Sequence, residues 1–162
     1  EQARIQCEVW GPTPELPEAQ FFDKSLRQLI KSAGVSSQFH LKGATTDVKS
    51  KLHASDWFVL PSTNEPCSVA LMEALSLGLP ALVSESGGNI DLVQTGCGLH
   101  FQPDGPASLA EQLRAILNGS FCPLTPEQIR ASVAMRAASV VYGQYKDLYQ
   151  KLNPDLTHRL KS

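Results

Sequence analysis

The sequence predicts an α/β protein in which helices cover a parallel sheet, and three observations carry that prediction. Short apolar runs alternate with longer stretches of helical period along most of the chain. One of those runs, "DWFVLPS", is uninterrupted, as strands buried on both faces are. Three strand ends lead into loops of small and hydroxyl residues, "KGATTD", "PSTNEPCS" and "SESGGN". Strands alternating with helices make βα units, and these pair in parallel with helices on both faces.

Each element follows from its residues. "RIQCEVWG" alternates apolar and polar from Ile5 to Val9 and stops at Gly11, so it reads as a strand. "TPELPE", with prolines between Pro12 and Pro17, is turn material. From Glu18 to Ala33 a stripe of Phe22, Leu26, Leu29 and Ile30 defines an amphipathic helix ended by Gly34. "QFHLKG" is the second strand, and "TTDVKSKLHAS" a helix with Thr45 or Thr46 as its cap. "DWFVLPS" is the third strand, followed by a helix within "NEPCSVALMEALSLGLP". "LPALVS" is the fourth, "GGNIDLVQT" a glycine turn into a short helix, and "CGLHF" the fifth. "PDGPASLAEQLRAILNG" is a helix with Ser108 or Asp104 at its start and Gly119 at its end. "EQIRASVAMRAASVVYGQYKDLYQKL" reads as two helices meeting near Ser139 or Gly143. The whole is Rossmann-like: one domain over residues 1–152, then a polar tail over 153–162.

At 162 residues the chain is long enough for a real core, and a net charge of −2 leaves no general footprint for nucleic acid or an anionic membrane. Any phosphate would have to be held by local geometry. Cys7, Cys67, Cys97 and Cys122 lie far apart without ligand spacing, which reads as four reduced thiols in a cytoplasmic setting. No apolar stretch reaches the roughly 18 residues that span a bilayer. The chain starts at Glu1, directly before a strand, as a piece of something longer would.

In open parallel sheets, ligands sit where strand ends run into helix N-termini. If Pro66 takes the first helical position, the amides of Cys67, Ser68 and Val69 point out of a positive helix end suited to an anion. Two carboxylates flank them: Glu65, just before, and Glu73, about 10 Å further by helix rise. Glu73 lies inside an apolar run of Val69, Leu71, Met72, Leu75 and Leu77, where burial would demand a partner. Carboxylates repel phosphate but accept hydrogen bonds from hydroxyls. A sugar nucleotide, with hydroxyls at both ends and a diphosphate between, would satisfy the pattern. Without a ligand, Glu65 still suits a helix N-terminus, and Lys42, Lys51 or a backbone group could hold Glu73.

The segment Ala54 to Phe101 resembles the C-terminal domain of GT-B glycosyltransferases of family 4. The likeness rests on "ASDWFVLPS", on the E-x7-E pair Glu65 and Glu73 followed by "ALSLGLP", and on the "SGGNID" turn. The resemblance implies a retaining enzyme that moves a sugar from a nucleotide-sugar donor to a glycan, lipid or other hydroxyl acceptor. It implies that Glu65 meets the donor sugar, as the catalytic-site acid of this chain. Cys67, Ser68 and Val69 would face sugar and diphosphate, and Glu73 the ribose. Gly43 and Ala44 would border the base, and Gly87, Gly88 and Asn89 the sugar. It implies no metal and no cofactor besides the donor.

No Lys or Arg lies between Pro61 and Pro80. The resemblance therefore implies that cations come from a first βα unit before Glu1, and that an N-terminal acceptor-binding domain precedes it. The chain alone is expected to be inactive, in the cytoplasm, with any membrane contact at the inner face made through other regions. Two departures stand out: Cys67-Ser68 where the family has Phe-Gly, and Asn89 to Asp91 where it has x-P-E. They keep open a degenerate domain that serves protein contacts; a nucleotide-sugar epimerase-like enzyme is the other alternative. His40, His53, His100 and His158, Trp10 and Trp57, and Tyr142, Tyr145 and Tyr149 read as structural. Ser62 and Thr63 lack a nearby base to act as nucleophiles.

Overall fold

The computed structural model describes residues 5–103 and 105–153. Asp104, His158 and the tail from 154 onward lie outside the described residues. The chain forms two units, Glu1–Val48 and Lys49–Ser162.

In the first unit, β1 (Cys7–Trp10) and β2 (Phe39–Gly43) pair in parallel, with Cys7 opposite Phe39 and Val9 opposite Leu41. Helix α1 (Pro17–Ser32) connects them, with proline in its first turn and Gly34 beyond its end at φ 70°. The Glu8 carboxylate, on β1, pairs with Lys42 Nζ, on β2, at 3.2 Å. Trp10 Nε1 donates to the same carboxylate at 3.1 Å. The Lys42 contact comes first among the causes that hold Glu8 below the usual carboxylate range. Burial, with Glu8 nearby, pushes the Cys7 thiol up. The helix departs from its expected stripe: Leu26 and Ile30 are half-buried, but Phe22 is 68% and Leu29 62% exposed. Phe21 is exposed as well.

The second unit holds α2 (Val48–His53), which begins at the boundary, and the three-stranded parallel sheet β3 (Phe58–Leu60), β4 (Ala81–Ser84), β5 (Gly98–Phe101), in that order. Helices α3 (Val69–Ser76) and α4 (Asn89–Leu92) make the connections, and α5 (Pro106–Leu117), α6 (Pro126–Val133) and α7 (Ala138–Leu152) follow. Parallel sheets with helices packed on them are thus what the chain forms, as an α/β, Rossmann-like reading requires. The strand buried throughout is β4, not β3, because β4 has a neighbour on each side. At the sheet edge, Val59 of β3 is exposed.

The core joins Leu71 and Leu75 of α3, Ala81 and Val83 of β4, Leu92 and Val93 at the end of α4, Cys97, and Ile129 and Val133 of α6. Burying a side chain such as Ile129 contributes about 1.5–3 kcal/mol. Helix α6 is seated against α3, where Arg130 Nη1 donates to Leu77 O at 3.0 Å and so satisfies a carbonyl at the end of α3. Gly78, at φ 83°, leaves the room: a Cβ there would lie 2.7 Å from Arg130 Nη1 and from Pro126 O.

Several boundaries differ from the sequence reading, each for a local reason. Helix α5 is capped by Gly105 with Pro106 at its start, and Ser108 lies inside it, its Oγ accepting the Gln102 N–H at 2.9 Å. Thr45 Oγ1 accepts the Asp47 N–H ahead of α2 instead of capping its first turn. The last two helices meet at a 3-10 turn, Ala134–Arg136, before Ser139, and Gly143 is interior to α7. Tyr142, Tyr145 and Tyr149, expected to pack, are exposed on α7. His100 lies within β5, inside the strand read from "CGLHF". Trp57 packs its ring on Phe121, with centroids 5.9 Å apart. All four cysteines are free.

Candidate functional site

Two loops leave the carboxyl ends of β3 and β4, and three hydrogen bonds join them. Ser84 Oγ donates to Ser62 O. The Asn64 N–H donates to Ser86 Oγ at 2.6 Å, and the Gly88 N–H donates to Glu65 O at 2.9 Å. Close approach completes the union: a Cβ on Gly87 would lie 2.2 Å from Glu65 O, and one on Gly88 2.2 Å from Pro66 O. Gly88 has an ordinary φ of −73°, so glycine is needed there for room and not for conformation. Glu65, half-buried, is held between these rungs.

The helix that follows begins later than Pro66. Ser68 is the N-cap of α3, and its Oγ accepts the Leu71 N–H at 3.2 Å. Cys67 and Ser68 therefore belong to the loop, and the first amides of the helix, ahead of the capped Leu71 N–H, are those of Val69 and Ala70. The Ser68 side chain is buried, and its oxygen is engaged as the cap. A serine just ahead of the apolar run "VALMEAL" carried that signal in the sequence.

Glu73 overturns its expected environment. Leu71, Ala74 and Leu75 face the core, whereas Glu73, two residues and so about 200° around from Leu71, is exposed. It keeps its hydration, and no buried partner is required.

Asn89 is fully buried, with Nδ2 3.5 Å from both Ser84 O and Ser84 Oγ. Its Oδ1 has no hydrogen-bond partner among the described residues. Gly43, at φ 79°, ends β2, and Ala44 follows it; both belong to the first unit. In the second unit the structure thus brings together Glu65, Cys67, Ser68, Gly87, Gly88 and Asn89, with Val69 and Glu73 on the adjoining helix.

Ser84 and Ser86 are the residues that reading the sequence missed. Their signal was a loop rich in hydroxyls, but which partner each would meet depends on β3 lying beside β4. At the end of β5, the Gln102 side-chain amide donates to the Glu85 carboxylate across the same edge. A cavity of ≈430 Å³ lies elsewhere, lined by Ile90, Val93, Gln94, His100 and Phe121 among others, and it shares no residue with the two loops.

Chemically, the loop pair and helix end offer one fixed acid, two helix amides with a favourable dipole for an anion, and an exposed acid on the second turn.

The sequence profile described as glycosyl transferases group 1 matches residues 2–133. Among curated relatives, glycogen synthase of Deinococcus deserti is 42% identical over 57 residues, 35% of this chain and 13% of its own. The 2-deoxystreptamine N-acetyl-D-glucosaminyltransferase of Niallia circulans is 28% identical over 131 residues, 78% of this chain and 34% of its own. Among solved structures, Anabaena Alr3699/HepE in complex with UDP superposes with a TM-score of 0.78 at 22% identity, over 91% of this chain and 41% of that one. The chain therefore spans less than half the length of each of these three proteins.

Proposed function

Because the chain belongs to the glycosyl transferases group 1 family, we propose that it is the donor-binding part of a retaining glycosyltransferase. The donor is a nucleotide-diphosphate sugar and the acceptor a hydroxyl of a glycan, lipid or other molecule. The observation that carries this reading is the fused loop pair, which fixes Glu65 three residues ahead of the capped end of α3. Glu65 accepts hydrogen bonds from sugar hydroxyls. The amides of Val69 and Ala70, with those of the loop at Cys67 and Ser68, take the diphosphate. Glu73, exposed one turn along, accepts from the ribose hydroxyls.

The donor is the substrate, and the reading invokes neither metal nor further cofactor. Cations for the diphosphate come from an upstream βα unit, whose strand pairs with β3, the end strand of the order β3-β4-β5 among the described residues. Beyond it lies an acceptor-binding domain, which α7 meets through its exposed tyrosines. Transfer takes place in the cytoplasm, at the inner membrane face where the acceptor is a lipid. Among the described residues no helix is long and apolar enough to cross a membrane. UDP is the first nucleotide to try, since the Anabaena protein was solved with it.

Calorimetry with UDP, GDP, ADP and their sugars tests the reading, on this chain and on one extended upstream. The expected result is binding by the extended form, lost in Glu73→Ala at an unchanged melting temperature. A folded, extended protein that binds none of them overturns it.

A further inference from the structure

We propose that Ser86 is a positioning residue for Glu65, acting through the backbone turn at Asn64. The proposal rests on the donor-binding reading above and deepens it. Asn64 is the one non-glycine residue with positive φ among the described residues, at 59°. Apart from glycine, asparagine enters the left-handed region most readily, but it stays there only when its surroundings hold it. What holds it is the 2.6 Å hydrogen bond from its N–H to Ser86 Oγ.

Ser86 is itself fixed: its N–H donates to Ser84 O at 2.8 Å, and its carbonyl accepts the Asn89 N–H at 3.3 Å. One residue after Asn64, the carbonyl of Glu65 is pinned by the Gly88 N–H. The peptide before Asn64 and the peptide after Glu65 are thereby set from the loop after β4, and with them the short stretch of backbone from which the Glu65 side chain leaves the chain. Without the hydroxyl, Asn64 can relax to negative φ, which swings Glu65 away from the end of α3.

The test uses the upstream-extended protein, with donor affinity by calorimetry, donor KM and kcat, and melting temperature for each variant. Ser86→Ala is expected to weaken donor binding about tenfold, acting on KM more than on kcat. Ser86→Thr, which keeps the hydroxyl, is expected to bind as the parent does. The decisive comparison is Ser86→Ala made on Glu65→Gln: if the serine acts by aiming Glu65, the second change adds nothing to the first.

Equal weakening on both backgrounds, or none on the parent while Glu65→Gln weakens binding, overturns the role of Ser86 and leaves the donor site standing. No effect of Glu65→Gln overturns the site and this proposal together. Should Ser86→Ala fail to fold, Ser86→Cys, close in size with a weak acceptor, replaces it in the same comparison.

Discussion

Ser68 and Glu73 lie five residues apart and exchange the surroundings that an apolar run suggests for them. The serine is buried and its hydroxyl serves the helix, whereas the carboxylate faces solvent. Helical period decides this, since Leu71, Ala74 and Leu75 take the one face that packs. Glu73→Ala should accordingly leave stability within about 0.5 kcal/mol of the parent while donor affinity falls, read by thermal melting beside calorimetry. Gly88 presents the opposite case. Its φ is ordinary, but the nearest atom to an added Cβ is a backbone oxygen that cannot swing aside. Gly88→Ala should cost about 1–3 kcal/mol, seen as a lowered midpoint in denaturant, and an unchanged midpoint would mean that the two loops part easily.

At the scale of elements, α6 shows how a short helix is held by its ends. Thr125 and Gln128 form a reciprocal capping box, and Arg130 reaches the Leu77 carbonyl at the end of α3. Thr125→Ala should remove about 1 kcal/mol in denaturant unfolding, with α3 loosened in hydrogen exchange because the two helices share the core. The pair β1–β2 carries a pH-dependent tie instead. Lys42 holds the Glu8 pKa low, so this contribution is present above the ordinary glutamate pKa, about 4.3, and is lost as pH falls through the lowered folded value. Melting curves of parent and Glu8→Gln should therefore differ near neutrality and converge in acid. A gap that persists in acid would assign the effect to packing.

The whole molecule has more apolar surface than its own elements cover. On α7, Tyr142, Tyr145, Tyr149 and Leu152 are exposed, and on α1 Phe21 and Phe22. The relatives run well beyond this chain. If α7 meets an upstream domain, as proposed, its amides should exchange more slowly in the extended protein than in this chain. Equal exchange rates would count against that contact.

The sequence by itself determined the α/β class, the order of its elements and the loops that gather at the strand ends, because periodicity and glycine or proline punctuation are local properties. It also supplied Glu65, Gly87 and Gly88. Only the tertiary structure decided why those glycines are there, which serines join the loops, that Asn64 turns left-handed and that Glu73 faces water. Each of these depends on β3 lying beside β4 or on which face of α3 meets α6. Such neighbours are distant in sequence, and no local pattern records their contact.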